Sequence, residues 1–153
     1  MQEAQNTKVV QDAYAAFGRS DIPTLLTYLA DDIVWAGVYG AAPHVPTSGE
    51  RRGKAAVAEF FKLVAEHVQF NQFEPKEFVA SGDKVVALGH YAATTSVKKA
   101  FESDFAMVFT LRNGKVSHFQ EFCDSAAINA AYMSRWKSSS SFRSSWACRW
   151  CSR

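Results

Sequence analysis

The sequence predicts an α+β domain, on three observations. Apolar residues recur at helical spacing through about residue 67; from Gln69 onward the pattern turns to β-prone segments broken by turns; and Asn113-Gly114 late in the chain is a strong hairpin signal. Helices first and an antiparallel sheet afterwards separate this class from a doubly wound fold, in which the two alternate.

Val9, Val10, Ala13, Tyr14 and Phe17 fall on one helical face, so a first helix spans roughly residues 3–18, with Gly18 as its stop. Ser20 or Asp21 can cap a second helix, in which Pro23 is tolerated in the first turn and Ile22, Leu25, Leu26 and Leu29 form the buried stripe. Ile33-Val-Trp35 is short and β-prone. Gly37 to Gly53, rich in Gly, Pro and Ser, reads as a long loop of the kind that borders sites. Val57, Phe60, Phe61 and Val64 place a third helix over about 54–67.

Strands follow over about 69–80, 84–95, 100–112 and 115–124, the first carrying Pro75, which implies an edge or a bulge. Ser81-Gly-Asp83 and Asn113-Gly114 are the hairpin turns. A closing helix over about 125–136 turns Ala127, Ile128, Ala131 and Tyr132 inward. Phe105-Ala-Met-Val-Phe-Thr-Leu111 is apolar on both faces, which predicts a central strand covered by helices on one side and by a second subunit on the other, hence a homodimer through the sheet.

At 153 residues and 48% hydrophobic content the chain can bury one sizeable core, and a single domain over 1–137 is expected. Residues 138–153 form an appended tail in which seven of sixteen residues are Ser, with Phe142, Trp146 and Trp150 interleaved without period. Such a tail is either floppy or docks its aromatics on a neighbour. The tail's three arginines account for the net charge of +2, since residues 1–137 hold 14 basic against 15 acidic side chains, so nucleic acid is not an expected partner. Without a signal peptide or an apolar run long enough to span a bilayer, no membrane partner is expected and the location is cytoplasmic. Cys148-Arg-Trp-Cys151 lacks the second pair or histidine of a zinc site, and Cys123 is a small core residue in a reducing compartment, so no metal is expected. Gly49-Glu-Arg-Arg-Gly53-Lys54 has the outline of a P-loop, but with three residues between the glycines instead of four and no Ser/Thr, which excludes nucleotide binding. Arg51, Arg52 and Lys54 are then a solvated basic turn or an anion-attracting one.

Four pieces carry more information in their order than singly: Leu29-Ala-Asp-Asp-Ile-Val-Trp35, Arg52-Gly-Lys-Ala-Ala-Val57, Gly82-Asp-Lys-Val-Val86 and Asn113-Gly-Lys-Val116. Over about residues 8–132 the chain resembles the nuclear transport factor 2-like superfamily, and within it the SnoaL-like, ketosteroid-isomerase-related proteins. The resemblance implies a strongly curved sheet wrapped as a cone around the N-terminal helices, a roll or partial barrel with a largely apolar pocket at its open end. It does not imply one chemistry, because isomerases, cyclases, dehydratases, epoxide hydrolases and binding modules share the fold.

Ketosteroid isomerase uses an Asp base with a Tyr and a protonated Asp as oxyanion donors. The resemblance puts Gly37 at the base and Met107 at the second acid, with Tyr14 within one residue of the tyrosine, so steroid isomerisation is not expected. SnoaL-like cyclases and the epoxide hydrolases of this fold carry an acid on the last strand, which here falls on Glu121. The hydrolases also need an Arg and a second carboxylate on an earlier strand; Val85 to Thr94 offers only His90 and Tyr91.

The candidate catalytic residues are therefore Glu121 as base and Tyr14 or His90 as polariser, with Phe17, Trp35, Phe60, Met107 and Phe119 lining the ligand site. If Phe119, Glu121 and Cys123 face inward, burial raises the Glu121 pKa and suits it to acid/base work; Val116 and Phe122 argue for the opposite face. Two functions stay open. One is cofactor-free acid/base catalysis on a small apolar, carbonyl- or epoxide-bearing molecule; the other is a non-catalytic module that binds a small ligand or a protein in the same pocket. For Glu121 the competing role is a surface or interface ion pair, for His90 a hydrogen-bonded structural histidine, and for His44 an exposed loop position or a cap over the pocket mouth.

Overall fold

The computed structural model describes residues 1–133; the tail with Phe142, Trp146, Trp150 and its two cysteines lies outside them. Helix α1 (Gln2–Gly18) buries Asn6, Val10, Ala13 and Ala16. The helix ends at Gly18 as expected, but the left-handed turn that follows falls on Ser20, at φ 57, whose N–H donates to Phe17 O at 2.9 Å. A short polar side chain tolerates that left-handed turn. Asp21 caps α2 (Ile22–Thr27), accepting from Thr24 N at 3.2 Å, and this hydrogen bonding holds its carboxyl below the ordinary carboxylate value.

Strand β1 (Leu29–Ala36) is longer than the three residues expected, because Leu29 already pairs with Val116 and a bulge before Val34 leaves Asp31 and Asp32 exposed. The expected long loop contains a further strand, β2 (Glu50–Arg52), paired with β1. Helix α3 (Lys54–His67) buries Val57, Phe60 and Phe61. Then come β3 (Val68–Ser81), β4 (Lys84–Thr95), β5 (Ala100–Arg112), β6 (Lys115–Phe122) and α4 (Ser125–Ala131), the last capped by Asp124 through Ala127 N.

The six strands run in the order β2-β1-β6-β5-β4-β3, in a curved sheet that does not close. Pro75 lies on the edge strand β3 and beside a bulge, so it removes no interior ladder bond. Gly89 stands opposite Pro75, where a Cβ would come 2.2 Å from Glu74 O; only glycine lets the two strands approach there. Asn113 and Gly114, at φ 52 and 76, form the tight turn between β5 and β6.

One pairing departs from the antiparallel expectation: β1 and β6 are parallel. Four strands and α3 separate them in the chain, so no hairpin fixes their sense, and both start from the same end, where Val116 N donates to Tyr28 O at 2.9 Å. The concave face of the sheet packs on α1 and α3. The outer face carries two apolar rows set by register, Leu88-Ala106-Phe122 and Val79-Val86-Val108, with Leu88, Phe122 and Val79 exposed. No helix among the described residues is long and apolar enough to cross a membrane.

Candidate functional site

The orientation of β6 decides what the concave face can do. Leu111 pairs with Val116 and Thr110 with His118, which leaves Ser117 as an extra residue. This bulge shifts the alternation by one. Val116 and Phe119 therefore both face inward, Glu121 follows Phe119, and Phe122 points out. Val116 thus belongs to the stretch before the bulge and Phe119 and Glu121 to the one after it, while Phe122, also after the bulge, is an apolar residue on the outer face.

Glu121 is 6% exposed and holds two protein donors: Tyr91 Oη to Oε1 at 2.9 Å and Val38 N to Oε2 at 3.1 Å. Tyr39 N donates to its backbone oxygen at 3.1 Å. Val38 has φ 48, a left-handed conformation that costs a β-branched residue roughly 1–2 kcal/mol and here aims its N–H at the carboxylate. Burial pushes the Glu121 carboxyl above its ordinary value, and the Val38 and Tyr91 donors offset part of the rise. The Tyr91 phenol is also raised, by burial and then by the Glu121 charge, so it stays a neutral donor. Cys123, partly buried beside them, is pushed up to about 12 by burial and then by Glu121, so its thiol is neutral near pH 7.

Glu121 borders a cavity of about 90 Å³ whose walls are otherwise almost wholly apolar. Tyr14 and Phe17 reach it from α1, Trp35 from β1, Phe60 from α3, Met107 from β5 and Phe119 from β6. Trp35 stacks on Phe119 with ring centroids 3.8 Å apart. Two donors here are weakly used. The Tyr14 hydroxyl donates to Met107 Sδ at 2.9 Å, a poor acceptor, and the buried Trp35 Nε1 finds no acceptor among the described residues. Burial, and then Glu121, raise the Tyr14 phenol well above 10.0, so it too keeps its proton.

His90 is a correction. It is not among the cavity residues, because it alternates with the inward Tyr91 and lies on the outer face of β4, with Nδ1 2.8 Å from Asp104 and Nε2 3.5 Å from Glu102. Tyr91, its neighbour, is the group that reaches Glu121. His44 does not cap the cavity either: its Nε2 lies 3.0 Å from Asn129 O and ties the loop to α4.

Gly37 shows why a base is not replaceable at that position. A Cβ there would come 2.5 Å from Phe60 Cε2, so an aromatic ring occupies the room a carboxylate would need. Phe60 is held in turn by Arg51, whose guanidinium lies 5.3 Å above its ring while donating to the carbonyls of Pro46, Thr47 and Ser48. Arg51 is thus a brace for the loop, and Arg52 and Lys54 pair with Glu50 and Asp31.

The model of the SnoaL-like domain matches residues 10–119. The chain belongs to the SnoaL-like family. Its fold is that of nuclear transport factor 2-like proteins. An NTF2-like protein from Burkholderia xenovorans LB400 is similar at 32% identity, over 86% of this chain and 98% of that one, with a TM-score of 0.77. A second, of unknown function, from Burkholderia pseudomallei K96243 is 26% identical over 85% and 98%, with a TM-score of 0.73. TerC, crystallised with polyporic acid, is 26% identical over 84% and 98%, with a TM-score of 0.68. No curated protein matches the sequence. Within this SnoaL-like chain Tyr91 and Val38, the two partners of Glu121, are the site residues that sequence reasoning passed over.

A pH effect on stability follows from the buried carboxyl. A raised folded-state pKa means that the folded protein holds the Glu121 proton longer than the unfolded chain does, so stability is full below the ordinary glutamate value of 4.5 and falls as the pH rises through the displaced titration. Glu121→Gln removes this loss. In urea unfolding the variant is expected to gain on the wild type progressively as the pH is raised from 4.5; a constant difference across that range would contradict it.

Proposed function

We propose that the protein binds a small apolar molecule bearing a carbonyl group in the Glu121 cavity and moves a proton at the carbon beside that carbonyl. The observation that carries this reading is one buried carboxyl set in an apolar cavity together with a donor, Tyr14 Oη, whose only acceptor among the described residues is the Met107 thioether. An incoming carbonyl oxygen is a better acceptor than the Met107 thioether, so Tyr14 would turn to it and stabilise the enolate oxygen that develops on deprotonation. Glu121 would take the proton; Tyr91 and Val38 keep the carboxylate oriented and limit how far burial neutralises it. The test is deuterium incorporation beside the carbonyl of cyclohexanone in heavy water. Incorporation above the buffer rate supports the reading.

The second reading, a binding module, rests on a specific observation: both Glu121 oxygens already accept from the protein. Saturable binding without incorporation supports that reading instead. The co-crystallisation of TerC, a similar chain, with polyporic acid is in keeping with either.

The exposed rows on the outer face fit a homodimer through the sheet, since a second copy would cover Leu88, Phe122 and Val79 together. Sedimentation at micromolar concentration is expected to give a dimer, and monomer alone would remove this assignment.

A further inference from the structure

Two cavities meet at Glu121. Beside the larger one lies a second of about 50 Å³, and Phe60, Val64, Phe70, Tyr91 and Glu121 border both. Beyond that shared wall they diverge. The larger runs between α1 and the sheet toward Tyr14 and Leu25; the smaller passes Val38 and Thr47 to Val68, Ile128 and Tyr132 beneath α4.

A water needs about 10–15 Å³ by this measure and two to four polar partners. The smaller cavity has room for a few heavy atoms and mostly apolar walls: the Tyr91 hydroxyl already donates to Glu121 and that of Tyr132 to His67 O, which leaves the Thr47 hydroxyl, among the described residues, as its one side-chain donor not already engaged. It suits an apolar arm and is too small to hold a compound alone. The wall between the cavities is made of side chains, and Phe70 stands half-buried on the edge strand β3.

Resting on the reading of the Glu121 cavity as a ligand site, we propose that the two cavities are lobes of one site, whose ligand is an elongated apolar molecule carrying its carbonyl within its length. The carbonyl then lies at the waist beside Glu121, one arm fills the lobe under α1, and the other displaces the Phe70 ring and enters the lobe under α4. A ligand with the carbonyl at its end leaves one lobe empty whichever way it enters.

The test uses a pair of isomeric straight-chain ketones, one with its carbonyl at mid-chain and one with it next to the end, and cyclohexanone as a compact probe of the larger lobe alone. The isomers have the same apolar content and differ only in placement. In calorimetric titration the mid-chain isomer is expected to bind about tenfold more tightly, roughly the worth of two further buried methylenes. Val68→Phe, which fills only the smaller lobe, is expected to abolish that preference and leave cyclohexanone affinity unchanged. Thr47→Leu serves the same purpose should the first variant not fold. Equal binding of the two isomers, or a preference that survives both filled variants, overturns the two-lobe proposal while cyclohexanone binding keeps the site itself. Failure of cyclohexanone and both ketones to bind the wild type overturns the site and the proposal with it.

Discussion

Glu121→Gln is expected to lower deuterium incorporation beside a bound ketone carbonyl by about a thousandfold, the middle of the range for losing a positioned general base. The substitution keeps an oxygen able to accept from Tyr91 Oη or Val38 N, so the shape of the cavity is preserved and only the proton acceptor is lost. Affinity for the ketone should change far less than the rate. A variant that exchanges as fast as the wild type would show that another group takes the proton. The outer-face His90 is separated from the cavity by the sheet, so His90→Ala should leave exchange at the wild-type rate.

Gly37→Asp is the second large effect, and it acts on stability. Its Cβ alone would meet Phe60 at 2.5 Å, and Phe60 is hemmed in by Trp35 at 5.6 Å and Phe61 at 5.2 Å between ring centroids, with Arg51 above. Overpacking at such a point costs about 3 kcal/mol, before any cost of burying the new carboxylate. Adding Phe60→Ala to Gly37→Asp should return part of that loss, because it empties the space the aspartate needs. Chemical unfolding of the single and double variants measures the coupling. If Gly37→Asp is as stable as the wild type, Phe60 is not the barrier to a base at this position.

Much of the architecture was legible because local signals agreed with it. Asp21 caps α2, Asn113-Gly114 turns the last hairpin, and Pro75 lies at an edge and a bulge. What stayed hidden was set by tertiary contacts. β2 is three polar residues, Glu50–Arg52, that form a strand only because β1 pairs with them. The facing of Glu121 depended on one extra residue at Ser117, which hydropathy alternation averages over. The cavity-lining aromatics were legible as apolar residues at helical or strand spacing. His90 drew notice as the titratable residue of an apolar strand, yet a strand's alternation gives the inward place to only one of two neighbours, and Tyr91 has it. The sequence signal that could have found Tyr91 is parity with Val85 and Ala87, both fully buried. Val38 offered no signal, since its part is played by a backbone N–H in a conformation its side chain disfavours.

The most direct measurement is the titration of the Glu121 side-chain carboxyl by carbon-13 NMR, with and without cyclohexanone. The expected result is a midpoint above the ordinary 4.5, with a resonance that moves when the ketone binds. A midpoint at or below 4.5, unaffected by the ketone, would contradict a buried carboxyl facing the ligand.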